Sequence, residues 1–376
     1  MSVLAVITGF VLIITILWDS FETIVLPRRV TRRFRLVRAF YRATWIPWSA
    51  LARHIRSGNR RESFLSVYGP LSMLMLFSFW AVGMIFGFAL LQWGMGSSLT
   101  LKSGGESFCV DLYMSGTTFF TLGLGDVLPI TWEARFLAVV EAGIGLGFLA
   151  MAITYLPVLY EAFSRREQNI SILDARAGSP PSAGELIKRH LDSNNLTGLV
   201  EYLRSWEIST AELMESHLSY PVLCYYRSQH SNESWLAALA TILDASALLA
   251  SYAQPPIKWQ ACMTFAIARH AVVDLTQVLH IPPDVKKPDR LGKKPLGKLH
   301  AMLSAADIKS GDDASCDQEF LHMRSMYDPY LNALSARLLM PLPDWVMSSE
   351  QPDNWRTSSW KPGGEKASPT GRVEDH

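Results

Sequence analysis

Residues 111–129 read Asp-Leu-Tyr-Met-Ser-Gly-Thr-Thr-Phe-Phe-Thr-Leu-Gly-Leu-Gly-Asp-Val-Leu-Pro, a mainly apolar stretch. We interpret it as a re-entrant segment, because it is too short to cross a bilayer and too apolar for an exposed loop. Non-helical backbone at membrane depth is tolerated only where it is buried or lines an aqueous path. Gly123 and Gly125 can take positive φ without a Cβ clash, so successive carbonyls of Thr121–Gly125 can point the same way.

Two long apolar segments flank this stretch. Leu71–Trp93 is uncharged throughout, and Phe136–Tyr160 has Glu141 as its only charged residue. Both are long enough to cross a bilayer at about 1.5 Å per residue. We expect Glu141 to lie hydrated near the outer interface, with a hydrogen bond behind the pore segment as the alternative.

A shorter apolar segment, Val3–Trp18, begins the chain. It has no Lys or Arg before it and no small-x-small cleavage site after it, so we expect a retained membrane segment rather than a signal peptide. Whether it spans fully is left open, because Asp19 and Glu22 follow it and carboxylates are costly in hydrocarbon.

Charge in the loops predicts the orientation. Residues 28–61 contain no Asp or Glu and eleven arginines, at 28, 29, 32, 33, 35, 38, 42, 53, 56, 60 and 61. Arg165 and Arg166 follow the last span, and the positive-inside rule places both basic regions in the cytoplasm. Residues 94–133 would then face outward. They contain four acidic residues and one Lys, and this excess of negative charge would attract cations. We expect a multi-pass protein of the cell (inner) membrane with a large cytoplasmic C-terminal domain.

The arginine-rich loop has two readings. Arg32, Arg35, Arg38 and Arg42 recur at helical spacing, as in a voltage sensor, but a sensor needs its arginines within a membrane-spanning apolar helix. We favour a helix lying on the cytoplasmic surface and bounded by Pro27 and Pro47. Its apolar side would be formed by Leu36, Val37, Phe40, Tyr41, Trp45 and Ile46.

Residues 65–165 resemble the potassium channel pore family, in particular bacterial relatives of the two-pore-domain potassium channels with a single pore loop per chain. The matching pieces are Tyr113-x-Ser115, Thr121-x-Gly123-x-Gly125-Asp126 and Pro129, in the order outer span, pore helix, filter and inner span. The resemblance implies an all-α channel pore that passes K⁺ through rings of backbone carbonyls. A closed ring needs four copies, so one filter per chain implies a homotetramer in the lipid bilayer.

The resemblance also implies roles for individual residues. The ion-binding filter would be Thr121, Leu122, Gly123, Leu124 and Gly125, supported by Asp126, Tyr113 and Ser115. Gly143, Gly145 and Gly147 would be either a gating hinge or close-packing positions. Leu124 stands where the family has Tyr or Phe, and we expect neither Tyr113 nor Ser115 to replace the missing brace. We therefore expect K⁺ to be preferred over Na⁺ less strictly, and a non-selective cation pore stays open.

Composition limits the other functions. Hydrophobic residues make up 49% of the chain and charged residues 18%, with a net charge of +1, so no nucleic-acid partner is expected. The four cysteines form no CxxC and predict no zinc site or disulfide framework. Gly292-x-x-x-x-Gly297-Lys298 nearly matches a phosphate-binding loop, but Leu299 occupies the Ser/Thr position. We expect no enzyme activity, no catalytic residue, no cofactor and no metal other than permeant K⁺.

The chain after about residue 165 has the pattern of a soluble helical domain of unassigned role. Apolar periodicity predicts helices over 186–203, 213–226, 235–252, 259–279 and 318–339, with a loop at 284–298. Ser182-x-x-Glu185 predicts a capping box, and the aromatic run Ser219–His230 is better read as a packed helix end than as a ligand pocket. We expect segments 1–26 (membrane), 27–66 (basic linker), 67–164 (pore), 165–345 (helical domain) and 346–376 (disordered tail). The alternative function is a non-conducting, membrane-anchored signalling or scaffold protein.

Overall fold

A computed structural model describes residues 2–26, 35–56, 58–97, 99–101, 107–228, 233–287, 289–305, 308 and 313–346. The chain divides into two compact units, residues 1–161 and 162–376. Both are helical, in agreement with the predicted fold class. The predicted disordered tail lies outside the described residues, apart from Val346.

The described residues of the first unit form five α-helices. They are α1 (Val3–Ser20), α2 (Leu36–His54), α3 (Asn59–Gly94), α4 (Phe108–Phe119) and α5 (Trp132–Ala177), whose end belongs to the second unit. A π-helical turn, Phe21–Val25, extends α1 to 23 residues. This extended segment, α3 and α5 are each long and apolar enough to cross a membrane.

Glycines let α1 and α3 approach closely. A Cβ on Gly9 would lie 2.6 Å from the carbonyl oxygen of Gly87, and one on Gly94 would lie 2.9 Å from the backbone nitrogen of Val6. The backbone N–H of Ser2 donates to the carbonyl of Gly94 over 3.1 Å. Small residues at such contacts increase van der Waals packing between membrane helices, which stabilises their association.

The two acidic residues at the end of α1 have partners inside the protein. Asp19 is buried and accepts hydrogen bonds from the indole N–H of Trp80 (3.0 Å) and the backbone N–H of Leu36 (3.1 Å). Glu22 is also buried and accepts from the indole N–H of Trp18 over 2.6 Å. These bonds offset the cost of burying a polar group, which was the objection to a full span.

The predicted end of the surface helix at Pro47 is wrong, because α2 continues to His54. Proline removes one hydrogen bond from a helix, but aromatic packing holds this helix on both sides of it. Trp45 packs edge-on against Tyr68 of α3 at 4.7 Å between ring centroids, and Trp48 stacks on Phe64 at 4.5 Å. Trp45 of the predicted apolar face is therefore buried against protein.

The structure describes only some of the other residues in the surface-helix prediction. Pro27 and Arg32 lie outside the described residues. Arg42 and Arg53 are exposed, and α2 is not among the described helices apolar enough to cross a membrane. Arg35 and Arg38 are partly buried, and the choice between a surface helix and a voltage sensor stays a prediction.

A short antiparallel strand pair brackets the predicted pore segment. β1 (Leu99–Leu101) follows α3, and β2 (Val127–Pro129) follows the glycine-rich residues. Leu99 pairs with Pro129 and Leu101 with Val127. Sequence analysis missed both strands, because three residues are too few to show the period-2 alternation typical of a strand.

The second unit is a helical bundle. After the end of α5 it contains α6 (Ala183–Asp192), α7 (Leu196–Ser219), α8 (Trp235–Tyr252), α9 (Ile257–Val278), α10 (Lys293–Ala305), α11 (Asp313–Ser325) and α12 (Asp328–Leu338). Half of the predicted capping box is present: the backbone N–H of Glu185 donates to the hydroxyl of Ser182 over 3.2 Å, but the N–H of Ser182 donates to the carbonyl of Ala177 and not to Glu185. The described residues 292–297 are mainly the first turn of α10, so the near-match to a phosphate loop is helical.

Several predicted boundaries in this unit are wrong. The predicted break between 203 and 213 is absent, because α7 runs without interruption from Leu196 to Ser219. The helix over 186–203 breaks because Asn195 caps a new helix by accepting from the N–H of Gly198. The helix over 213–226 ends at Ser219, before Pro221 opens a 3₁₀ turn. The helix over 318–339 breaks before Asp328 and Pro329, which favour a helix start. The predicted loop 284–298 ends early, since α10 begins at Lys293.

α8 forms the core of this unit. Its 18 residues are apolar enough to cross a membrane, yet all of them are buried inside the protein. Its acidic residue, Asp244, lies 2.9 Å from Arg290 and accepts from the hydroxyl of Tyr327 over 2.6 Å. Arg290 also pairs with Asp328 over 2.8 Å. Burial, together with the negative charges of Asp244 and Asp328, raises the pKa of Tyr327 well above its usual value.

We expect Arg290→Ala to lower the free energy of unfolding of the second unit by about 3–5 kcal/mol, because it leaves the buried Asp244 carboxylate without its cation. Lys258→Ala is the matched control, since Lys258 pairs with Glu319 over 3.4 Å at an exposed site and is expected to cost about 0–1 kcal/mol. Thermal unfolding of the full chain in detergent, followed by tryptophan fluorescence, measures both. Equal small shifts for the two variants would contradict a stabilising role for this ion cluster.

Candidate functional site

The candidate site begins with α4, a helix of 12 residues. One of its faces is buried through Asp111, Met114, Ser115 and Phe119. Asp111 lies in the first turn, where a carboxylate is favoured by the helix dipole, and accepts from the hydroxyl of Ser97 over 2.8 Å. The helix is too short to cross a bilayer, so the chain turns back after Phe120.

The backbone after α4 alternates in handedness. Within the described residues 121–126, positive φ occurs at Thr121 (+54°), Gly123 (+57°) and Gly125 (+74°). The turn is anchored by the N–H of Leu122, which donates to the carbonyl of Thr117 over 2.8 Å. Glycine takes positive φ without strain, which explains why two of these three positions carry it. Such an alternation allows successive carbonyls to share one direction.

The side chains of this segment make few contacts within one chain. Leu122 is 61% exposed and Leu124 is 63% exposed. A Cβ on Gly123 or Gly125 would meet no atom within 4 Å. The chain therefore presents the residues predicted to bind ions as an open surface.

Tyr113 and Asp126 are brought together by the structure. The phenol hydroxyl of Tyr113 in α4 donates to the Asp126 carboxylate over 2.8 Å. The other carboxylate oxygen of Asp126 accepts from the backbone N–H of Val127 over 3.1 Å. The bond from Tyr113 joins two of the residues that were expected to support the filter, but it lies at Asp126 and not at Leu124, so the supporting role and the missing brace at Leu124 both stay predictions.

Ser115 lies on the opposite, buried side of α4. Its hydroxyl contacts the carbonyl oxygen of Ile85 in α3 over 2.8 Å and the carboxyl group of Glu141 in α5. Glu141 is only 1% exposed, so the expectation that it is hydrated at the outer interface is wrong. The sequence did contain an indication of this burial: a single carboxyl group in an apolar span needs a hydrogen-bond partner inside the protein.

The three glycines of the inner helix differ in their surroundings. Gly145 is buried, and a Cβ there would overlap the carbonyl oxygen of Phe119, at the end of α4. Gly143 and Gly147 are exposed, and a Cβ on either would meet no atom within 4 Å. The contact favours close packing at Gly145, and the hinge role of all three glycines stays a prediction.

Phe148 was missed by sequence analysis. Its ring lies 5.9 Å from that of Phe119 at the end of α4 and 6.1 Å from that of Phe77 in α3. The sequence could not predict these ring contacts, because the direction of an aromatic side chain in an apolar span depends on how the helices pack. These rings therefore join α3, the end of α4 and α5 in one aromatic cluster.

The aromatic run that begins at Ser219 forms a packed helix end over its described residues. Leu223 and Cys224 are buried, and the guanidinium of Arg166 donates to the carbonyl of Leu223 over 3.0 Å. Burial raises the pKa of the Cys224 thiol to about 12, so this cysteine is unreactive at neutral pH. Burial also lowers the pKa of His217 well below its usual value, and no cluster of metal ligands is found among the described residues.

We expect Gly145→Ala to destabilise the packing of α5 on α4 by about 1–3 kcal/mol, because the added Cβ overlaps a backbone oxygen. Gly147→Ala is the matched control in the same helix: its Cβ enters open space, and alanine is the better helix former by about 0.5–1 kcal/mol. The melting temperature of each full-length variant in detergent measures the difference. A lower melting temperature for Gly147→Ala than for Gly145→Ala would refute the packing role.

Comparisons with known proteins give two matches to this sequence. Residues 73–161, which contain α4, the glycine-rich segment and most of the flanking spans, match a family model described as an ion channel. The chain is also 22% identical over 258 residues to the uncharacterized membrane protein YdjJ of Bacillus subtilis (strain 168), covering 65% of this chain and 74% of that protein. No solved structure matches the chain at a significant level. The two matches support an ion channel within a membrane protein, and a channel suggests a function other than catalysis.

Proposed function

We propose that the chain is one subunit of a homotetrameric channel that conducts K⁺ passively through Thr121–Gly125. The observation that carries this proposal is the positive φ at Thr121, Gly123 and Gly125, in a segment that follows a half-length helix. Rings of backbone carbonyls can replace the hydration shell of a monovalent cation. The match of the surrounding residues to an ion channel supports the channel part of this proposal.

Four copies are proposed because one chain supplies a single strand of carbonyls. A closed cage needs several such strands around an axis, and cyclic symmetry provides them. In the proposed tetramer, the exposed side chains of Leu122 and Leu124 would lie against neighbouring subunits or beside the ion pathway. The lipid bilayer would surround the helices that are apolar enough to span it.

We propose that K⁺ is preferred over Na⁺, but less strictly than in a channel with the TVGYG filter. Leu124 supplies a carbonyl as Tyr does, but it lacks the ring that braces the filter. The hydrogen bond from Tyr113 to Asp126 supplies a brace only at the outer end. A non-conducting scaffold is the second candidate, and the absence of ion flux would favour it.

Ion flux in reconstituted liposomes tests the proposal. We expect the full-length protein to pass K⁺ faster than Na⁺ and to be blocked by Ba²⁺. In Gly123→Ala, flux should be lost while the protein still inserts, because a side chain at φ near +57° costs about 1–2 kcal/mol in each of four subunits. The control is Gly58→Ala, where an added Cβ also meets open space at positive φ (+132°) but lies before α3, outside the proposed filter, so flux should be kept. Normal flux in Gly123→Ala would refute the carbonyl cage.

We also propose that the second unit is cytoplasmic, on the basis of the arginine-rich loop. A membrane-impermeant thiol reagent added to sealed cells should then label the exposed Cys109 and leave the partly exposed Cys262 unlabelled. Cells permeabilised before labelling provide the control, since Cys262 should then react. Cys224 and Cys316 are buried and should stay silent in either orientation. Labelling of Cys262 in sealed cells would reverse the topology.

A further inference from the structure

The surroundings of Glu141 are unfavourable for an ionised carboxylate. It is the only charged residue between positions 136 and 160, and it is 1% exposed. Among the described residues, no Lys, Arg or His forms an ion pair with it. A buried charge without a partner is costly, and such a group usually neutralises itself by taking up a proton.

The hydrogen bonds of Ser115 can be counted. A serine hydroxyl has one hydrogen to donate and two lone pairs that accept. Its oxygen contacts the carbonyl oxygen of Ile85 and the carboxyl group of Glu141. A backbone carbonyl oxygen can only accept, so the hydrogen of Ser115 is used on Ile85. A second full hydrogen bond at Ser115 then needs a hydrogen from Glu141.

We propose that Glu141 is a neutral carboxylic acid that donates its proton to the hydroxyl of Ser115, and that it positions the pore helix. The hydrogen bonds then run in one direction, from Glu141 in α5 to Ser115 in α4 and on to the carbonyl of Ile85 in α3. This chain joins three helices through one side chain of α4. Each hydrogen in this series of bonds then has an acceptor, as buried polar groups require.

The helix that carries Ser115 also contacts the proposed filter, so these hydrogen bonds bear on the filter's position. Tyr113 is two residues before Ser115 on α4 and holds Asp126 at the outer end of the glycine-rich segment. Ser115 fixes the opposite, buried side of the same helix to α3 and α5. Gly145 allows α5 to contact the end of α4 one turn further along. Glu141 is therefore a positioning residue, and its effect on ion flux rests on the proposed function.

Infrared spectroscopy of the full-length protein in lipid tests the protonation directly. At neutral pH we expect a carbonyl stretching band of a protonated carboxylic acid that is absent from Glu141→Gln. In Ser115→Ala the band should remain but shift, because the acceptor of its hydrogen bond is removed. Glu133→Gln, at an exposed site near the start of α5, is the control and should leave the band unchanged. Identical spectra for the wild type and Glu141→Gln would overturn the inference.

Flux measurements on two matched variants test the positioning role. Glu141→Gln is neutral and keeps an N–H donor for Ser115, so its K⁺ flux should stay close to that of the wild type. Glu141→Leu is neutral and of similar size but has no donor, and its flux should fall about tenfold. Equal losses in the two variants would refute the role of the donated hydrogen bond. If the wild type passes no ions, the proposed function fails, and the infrared result alone decides the protonation of Glu141.

Discussion

Every polar group at membrane depth in this chain must find its hydrogen-bond partner inside the protein, and the first unit is organised around that constraint. Water is absent from the hydrocarbon region, so an unpaired backbone or side-chain group there is strongly unfavourable. The re-entrant segment after α4 is possible because its first turn bonds to Thr117 and its last residue bonds to Tyr113. The proposed carbonyl cage would use the remaining carbonyls of this segment, which then need ions in place of hydrogen-bond donors.

The same constraint explains how acidic residues persist among the apolar helices. Asp19 receives an indole N–H and the first backbone N–H groups of α2, so one carboxylate joins α1, α2 and α3. Glu141 meets the constraint in another way, because its partner Ser115 already donates elsewhere. Both carboxyl groups therefore fix the relative positions of helices that apolar packing alone would leave freer to slide.

In the second unit, apolar surface is covered by other helices of the bundle. α8 has the composition of a membrane span, but all of its residues are buried by protein. Asp244 distinguishes it from a lipid-facing helix, because Arg290 and Tyr327 come from distant parts of the sequence to pair with it. Hydropathy alone cannot distinguish a helix buried by protein from one that faces lipid, because both have an apolar composition.

The sequence by itself determined the helical class, the order of outer span, half-length helix, glycine-rich segment and inner span, and the two glycines that accept positive φ at 123 and 125. These features are local, because they follow from apolar length and from the absence of a Cβ. Only the tertiary structure decided that Tyr113 reaches Asp126, that Gly145 rather than its neighbours contacts Phe119, and that Glu141 lies behind α4. Ser115 and Glu141 are 26 residues apart, and their meeting depends on how far each helix is rotated about its own axis. A nearly uniform apolar span contains no periodicity that fixes that rotation, so packing had to supply it.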